Sequence, residues 1–397
     1  AAQRLDATLG SALKTLTLGG GKVDSFGEFQ SLLCALPIKE GGLGIPLPSS
    51  VASYAHLAAV LDNDVLCHKL FPSLPPRDPA TSAKLLEDLK VNVLPEDHTE
   101  LHSLCRSPGG LHLQHQFAAL TNKKLRSRLI EHDYLRDVCS DYEKEHRLLL
   151  ESGWFSLSVA STWLQALPNP GLRQYMTNTE LHSVLTMRLH VPFWASDRPC
   201  TNGKCTGTSD RWGYHALGCK GKENMNHSRH EELAKAVCSC ARNAGIQAAF
   251  NPKLDLVKID KNKGSSIIRP ADVLLSRDTD RHCIDITVSA STCATYSSLE
   301  VGKVVDKRAL EKVQKNAETC SKYGYKFTPF VLDCCGIIHS DAWKLLRRFA
   351  SGYSDQTMRP YSQCCTILRR RISFALHLGI AHQLVPLFLH RRDVGMN

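Results

Sequence analysis

Arg269-Pro270-Ala271-Asp272-Val273-Leu274-Leu275 and Cys283-Ile284-Asp285-Ile286-Thr287-Val288 are the two runs on which the reading of this chain turns. Each is apolar and rich in branched residues around a single aspartate, so each reads as a covered strand, expected over 268–276 and 282–290. A carboxylate inside such a strand is costly unless it is paired or bound to a cation. Two strands joined by so short a polar loop would lie side by side and bring Asp272 and Asp285 to one end of a sheet. Two carboxylates and the Ile286 carbonyl then make a hard-oxygen site suited to Mg²⁺, which keeps waters and a phosphate in its shell. Either aspartate alone would be an exposed or ion-paired strand residue; the two together favour a metal.

Working outward, a helix is expected over 304–323 and a further strand over 325–333. A lysine two residues past the second carboxylate would share its face and supply positive charge there, but Thr287 stands at that position. The positive charge must then come from the helix, which offers Lys303, Lys307, Lys312, Lys315 and Lys322. Its apolar stripe reads Val305, Ala309, Val313, Ala317 and Cys320. At about 100° per residue, Lys312 lies roughly 80° from the stripe centre and Lys315 roughly 140°. Lys312 therefore borders the packed face while Lys315 points more to water; an ordinary surface lysine is the alternative. A helix over 229–244, a strand over 246–251 and a basic loop over 253–266 precede the two aspartate strands. Helices near 339–351 and 361–384 close the chain, so the order of types is αβββαβ with trailing helices.

Upstream stands Cys200-x4-Cys205-x9-His215-x3-Cys219, with Gly203, Gly207, Gly213 and Gly218 in its spacers. Three thiolates and an imidazole satisfy tetrahedral zinc, and a site with four protein ligands is structural. His227 or His230 could stand in for His215. The sixteen cysteines do not form a disulfide framework on this reading, because a chain of 397 residues needs no staples and several of them fall in strand or helix runs. A reducing compartment with one metal cluster follows.

The N-terminal half reads as mostly helical. Gly19-Gly20-Gly21-Lys22 lacks the flanking residues of a phosphate loop and is a turn. Leu36-Pro37 leads into Gly41-Gly42-Leu43-Gly44 and a small-residue helix over 50–61, and prolines make 71–79 a linker. Helices are expected over 83–89, 111–122, 124–150, 156–166 and 179–189. Lys123, Lys124, Arg126, Arg128 and Arg136 make one of them basic, either as a solvated face or as a stripe for backbone phosphates. Arg369-Arg370-Arg371 and Arg391-Arg392 pose the same choice in the tail. The net charge of +10 suits an anionic partner without naming one. The apolar stretch 374–389 is broken by His377, His382 and Gln383 and is too short and polar to span a bilayer, so no membrane partner is expected. The chain begins Ala-Ala-Gln, which suggests that a part upstream is missing.

The order of a cysteine–histidine knuckle, Arg229-His230 at a helix start, Arg269-Pro270-Ala271-Asp272, Asp285-Ile286-Thr287-Val288 and Glu311-Lys312-x-x-Lys315 resembles the C-terminal region of non-LTR retrotransposon polyproteins. In those proteins a reverse transcriptase is followed by a zinc knuckle and a restriction-like endonuclease of the PD-(D/E)XK superfamily. Leu36-Pro37 with Gly41-Gly42-Leu43-Gly44 is similar to the segment just after their polymerase palm. The resemblance implies an α/β fold: a mostly helical N-terminal half, a CCHC zinc knuckle, then a PD-(D/E)XK-like αβββαβ core with C-terminal helices. It divides the chain into a thumb-like segment (1–75), a helical linker domain (76–195), the knuckle (196–228) and the endonuclease domain (229–397).

By position it makes Asp272 and Asp285 the catalytic, magnesium-binding acids and Lys312 the catalytic lysine, with Lys315 as the other candidate. It makes Arg229, His230 and Arg269 nucleic-acid contacts. This sequence departs from the pattern at Glu231, at Ala271 and at Asn316, where an aromatic is common. The implied activity is Mg²⁺-dependent nicking of target DNA to prime reverse transcription, in the nucleus. DNA, element RNA and an upstream reverse transcriptase domain are the implied partners. No Tyr-x-Asp-Asp polymerase motif occurs. The rival expectation is a catalytically decayed fragment that only binds nucleic acid.

Overall fold

The structure, a computed structural model, describes residues 2–18, 26–73, 79–106, 112–133, 159–200, 205–219, 223–260, 264–293, 296, 299–300 and 302–394. The chain divides into two compact units, where the sequence suggested four segments. One comprises residues 1–16 and 24–143, and the other residues 17–23 and 144–397. The cysteine–histidine module belongs to the same unit as the sheet.

The first unit is helical: α1 (Ala2–Leu18), α2 (Glu28–Ala35), α3 (Pro48–Leu70), α4 (Pro79–Lys90), α5 (His98–Arg106) and α6 (Leu113–Glu131). Leu57 and Ala58 of α3, Leu89 of α4, Leu101 of α5 and Leu113, Phe117 and Leu120 of α6 share one core, with the helical spacing that a buried face requires. Gly42 is obligatory, since a Cβ there would collide with the Leu36 carbonyl. The two helices expected over 111–122 and 124–150 are one, because nothing between Asn122 and Lys124 breaks the helix; residues 134–158 lie outside the described residues. The basic stripe on α6 is largely spent internally. Lys123 pairs with Asp97 at 2.6 Å, Lys124 donates to the Val91 carbonyl at 2.7 Å, and Arg128 pairs with Glu28 at 3.0 Å. Arg136 lies outside the described residues.

The second unit is mixed α/β. After α7 (Asn178–Arg188) come the short strands β1 (Arg198–Pro199) and β2 (Thr208–Ser209), then α8 (Tyr214–Gly218) and α9 (Glu223–Asn243). The main sheet follows: β3 (Gln247–Phe250), β6 (Val273–Arg277), β7 (Asp280–Ser289) and β8 (Lys326–Asp333), in the order β3-β6-β7-β8. The first three pair antiparallel, and β7 pairs with β8 in parallel through the crossover helix α10 (Lys303–Lys322). α11 (Ser340–Thr357) and α12 (Tyr361–Val394) complete the unit.

Alternation along the strands sorts their side chains between two faces. Val273, Leu275, Ile284, Ile286, Phe330 and Leu332 pack with α9, α11 and α12 in the larger core. Leu274, Cys283, Phe327 and Val331 face α10, against Val305, Ala309 and Cys320. Both faces are covered, which explains the near-continuous apolar run of β7. Pro329, which has no N–H to give, sits in β8 at the sheet edge, where proline is tolerated.

Two expectations are corrected here. The basic loop over 253–266 is a hairpin, β4 (Leu256–Asp260) with β5 (Gly264–Ile268), inserted between β3 and β6. The strand expected over 268–276 begins only at Val273, because Ile268 still pairs with Leu256 in that hairpin. No helix among the described residues is long and apolar enough to cross a membrane.

Candidate metal centre and carboxylate site

β1 and β2 pair antiparallel, Arg198 opposite Ser209 and Pro199 opposite Thr208, and so hold Cys200 and Cys205 beside each other. α8 brings up the rest. Asp210 fastens its start by accepting the amides of Trp212 at 3.0 Å, Tyr214 at 3.1 Å and His215 at 2.5 Å. Burial nevertheless pushes the Asp210 pKa up, against these three donors.

One ligand atom each from Cys200, Cys205, His215 and Cys219 lies within 4.8 Å of all the others. The Cys200 and Cys219 sulfurs are 3.8 Å apart, and Cys205 Sγ lies 3.5 Å from His215 Nε2. Tetrahedral bonds of about 2.3 Å to sulfur and about 2.0 Å to nitrogen give edges of about 3.8 and 3.5 Å. The four side chains therefore fit a metal such as zinc. Gly207 completes the cradle. Its amide lies 3.4 Å from Cys205 Sγ and is the chief cause that lowers that thiol's pKa, and a Cβ on it would sit 2.9 Å from His215 Cε1. His215 is the histidine at the cluster. His230 is engaged elsewhere, and the side chain of His227 lies outside the described residues.

The carboxylates meet on the α10 face of the sheet. β6 and β7 pair with Val273 opposite Ile284, and the Asp272 N–H, just before β6, donates to the Ile284 carbonyl at 2.9 Å, which brings Asp272 close to Asp285. The Ile286 amide donates to Asp272 Oδ2 at 2.6 Å, and His230 Nε2 approaches the same oxygen at 3.1 Å. From α10, Lys312 Nζ donates to Asp285 Oδ1 at 2.8 Å and Asn316 Nδ2 to Asp285 Oδ2 at 2.8 Å. Asp272, Asp285 and Lys312, from three separate segments of the sequence, thus come together, and His230 of α9 joins them beside Asp272. Thr287, on the same face as Asp285, is buried.

Charge is uneven across this group. Burial opposes ionisation of Asp272, but the His230 contact, the Ile286 N–H and Lys312 outweigh it and lower its pKa. Burial likewise opposes protonation of His230, and the bond to Asp272 with the charges of both aspartates raises its pKa above the ordinary value. Asp285 goes the other way. Burial raises its pKa, the like charge of Asp272 adds to it, and Lys312 only partly offsets them. Two carboxylates are few ligands for Mg²⁺, and they fit its habit of keeping waters and taking phosphate oxygens.

Other expected residues lie apart from this centre. Lys315 is exposed and bonds to neither aspartate. Arg269 is 76% exposed and paired with Asp255 at 2.7 Å, which leaves it on the surface of the unit. Arg229 is corrected outright. Its side chain is only 5% exposed and donates to the Val288 carbonyl at 3.2 Å, so it packs α9 against the sheet and presents nothing to a phosphate. Arg371 is buried as well, bonded to Ser239 at 3.0 Å, and the Arg369 guanidinium lies 5.4 Å from the Trp343 ring centre.

Asn316 is the site residue that the sequence reading passed over. The stripe on α10 runs through Val305, Ala309, Asn316 and Cys320, while Val313 is 38% exposed. The signal was its i,i+4 relation to Lys312, which sets both on one face. No protein-family model matches the chain, and no curated protein matches it significantly.

Proposed function

We propose that this chain is a metal-dependent DNA endonuclease with a PD-(D/E)XK-like core, whose cysteine–histidine module is a structural zinc knuckle. The observation that carries the reading is the meeting of Asp272, Asp285 and Lys312 at one point of a sheet built in the order αβββαβ. With the motif order of the sequence, this supports a retrotransposon-type enzyme that nicks target DNA in the nucleus beside an upstream reverse transcriptase domain. DNA, and element RNA with it, are the proposed partners.

Asp272 and Asp285 would hold Mg²⁺, which orients the attacking water and stabilises the departing oxygen when bound. His230 and the Ile286 amide keep Asp272 ionised and aimed. Lys312, 24% exposed, is open to a phosphate and supplies fixed positive charge where the transition state gathers negative charge. Water adds to phosphorus and the bond to the 3′ oxygen breaks, which leaves a 3′-hydroxyl and a 5′-phosphate.

A second reading, binding without cleavage, is favoured by one observation. Each carboxylate already has two donors, His230 and Ile286 on Asp272, and Lys312 and Asn316 on Asp285. Such a closed network can stand without a metal. Supercoiled plasmid incubated with the purified chain separates the two. The endonuclease reading expects nicked circles with Mg²⁺, none with chelator, and at least a hundredfold slower nicking by Asp285→Asn. Tight DNA binding with no cleavage in Mg²⁺ or Mn²⁺ would establish the binding-only reading.

A further inference from the structure

The sequence marks Asn316 only as a departure from the motif that holds Lys312, yet it bonds directly to Asp285. Its side chain is 2% exposed, and its Nδ2 donates to Asp285 Oδ2 at 2.8 Å. Its own Oδ1 is buried with no hydrogen-bond partner. Leaving a carbonyl oxygen buried and unpaired costs about 1–3 kcal/mol, so such a group calls for a donor. Turning the amide over would not help, because it would point oxygen at the Asp285 carboxylate. The side chain is therefore fixed with its N–H₂ on Asp285 and its oxygen buried without a donor.

The geometry at Asp285 adds a second point. Lys312 holds Oδ1 and Asn316 holds Oδ2, both from α10, so the carboxylate is gripped at both ends. Lys312 and Asn316 are one helical turn apart, and a carboxylate clamped between them cannot rotate about its last torsion. Each oxygen keeps a lone pair for another partner. A cation arriving here meets a pre-oriented acid and, beside it, an acceptor with nothing to accept.

Resting on the endonuclease reading of this site, we infer that Asn316 is a positioning residue for a hydrated divalent cation. It fixes the plane of Asp285 through Nδ2, so that the carboxylate meets the cation already oriented. Groups that orient metal ligands in this way typically contribute 10- to 100-fold to metal affinity.

The test is calorimetric titration of the full chain, loaded with zinc, with MnCl₂ alone, for wild type, Asn316→Leu, Asn316→Ser and Asp272→Ala. Melting temperature and zinc content are recorded beside each titration. The expected result is a Mn²⁺ dissociation constant raised at least tenfold in both Asn316 variants, at unchanged zinc content. Leucine fills the space and serine leaves it open, so a loss common to both is not a packing effect. Should leucine prevent folding, the serine variant decides. Wild-type affinity in the folded Asn316 variants, with binding lost in Asp272→Ala, overturns this inference and leaves the endonuclease reading standing. Absence of Mn²⁺ binding in the wild type overturns both.

Discussion

Lys312 and Lys315 are three positions apart on one helix, and the structure treats them oppositely. Lys312 is bonded to Asp285, whereas Lys315 is exposed and uses only its backbone carbonyl, which accepts from Lys258 at 2.8 Å. Removing a fixed charge aimed at a developing anion costs roughly 100- to 1,000-fold in rate. Lys312→Ala should lose that much nicking while DNA affinity stays within about threefold, since one phosphate contact among many contributes little. Lys315→Ala should nick within about threefold of wild type. Rates measured on one labelled duplex at saturating Mg²⁺ check both, and the reverse order would mean that α10 turns its other edge to the substrate. At this scale the sequence was informative about the aspartates and Lys312 and poor about Asn316 and Arg229. A carboxylate in an apolar strand announces itself, because burying it has a cost. Asn316 does not, because an uncharged amide on a helix reads as surface until its neighbours are known. Arg229 misled for the opposite reason, since an arginine at a helix start reads as exposed and this one is covered.

Among the elements, the cysteine–histidine module is the one with a cluster of side chains that could hold a metal ion. β1, β2 and α8 are two, two and five residues long, too short to hold themselves together. Three thiolates brought within 4.8 Å without a cation would repel. Chelation should therefore melt this module first and lower the melting temperature by at least about 5 °C, equivalent to roughly 2 kcal/mol in a unit of this size. Gly207→Ala should weaken zinc retention, because the added methyl would press on His215. Elemental analysis with a scanning calorimetry trace, before and after chelation, checks both; an unchanged trace would remove the metal from the account. The Cys₃His cluster was legible because metal-binding sites constrain both ligand type and spacing. The β4–β5 hairpin was not, because Lys258, Asp260 and Gly264 interrupt its apolar residues and give the composition of a loop. Only the pairing of Leu256 with Ile268, against Ala271, Cys283 and Cys320, makes it a strand pair with one buried side.

For the molecule as a whole, part of the excess of ten positive charges is off the surface, because Arg229 and Arg371 are buried in the mixed α/β unit. The functional weight accordingly falls on the mixed α/β unit, which holds both the soft Cys₃His cluster and the hard carboxylate pair. Two centres of such different chemistry should sort metals between them: thiolates and imidazole take zinc, and carboxylates take magnesium or manganese. Crystals of the full chain grown with MnCl₂, with anomalous-difference maps collected on both sides of the zinc and manganese edges, read that sorting directly. A zinc peak is expected among Cys200, Cys205, His215 and Cys219, and a manganese peak between Asp272 and Asp285 beside Asn316. Crystals soaked in millimolar manganese that show density for both aspartates and no anomalous peak between them would contradict that expectation.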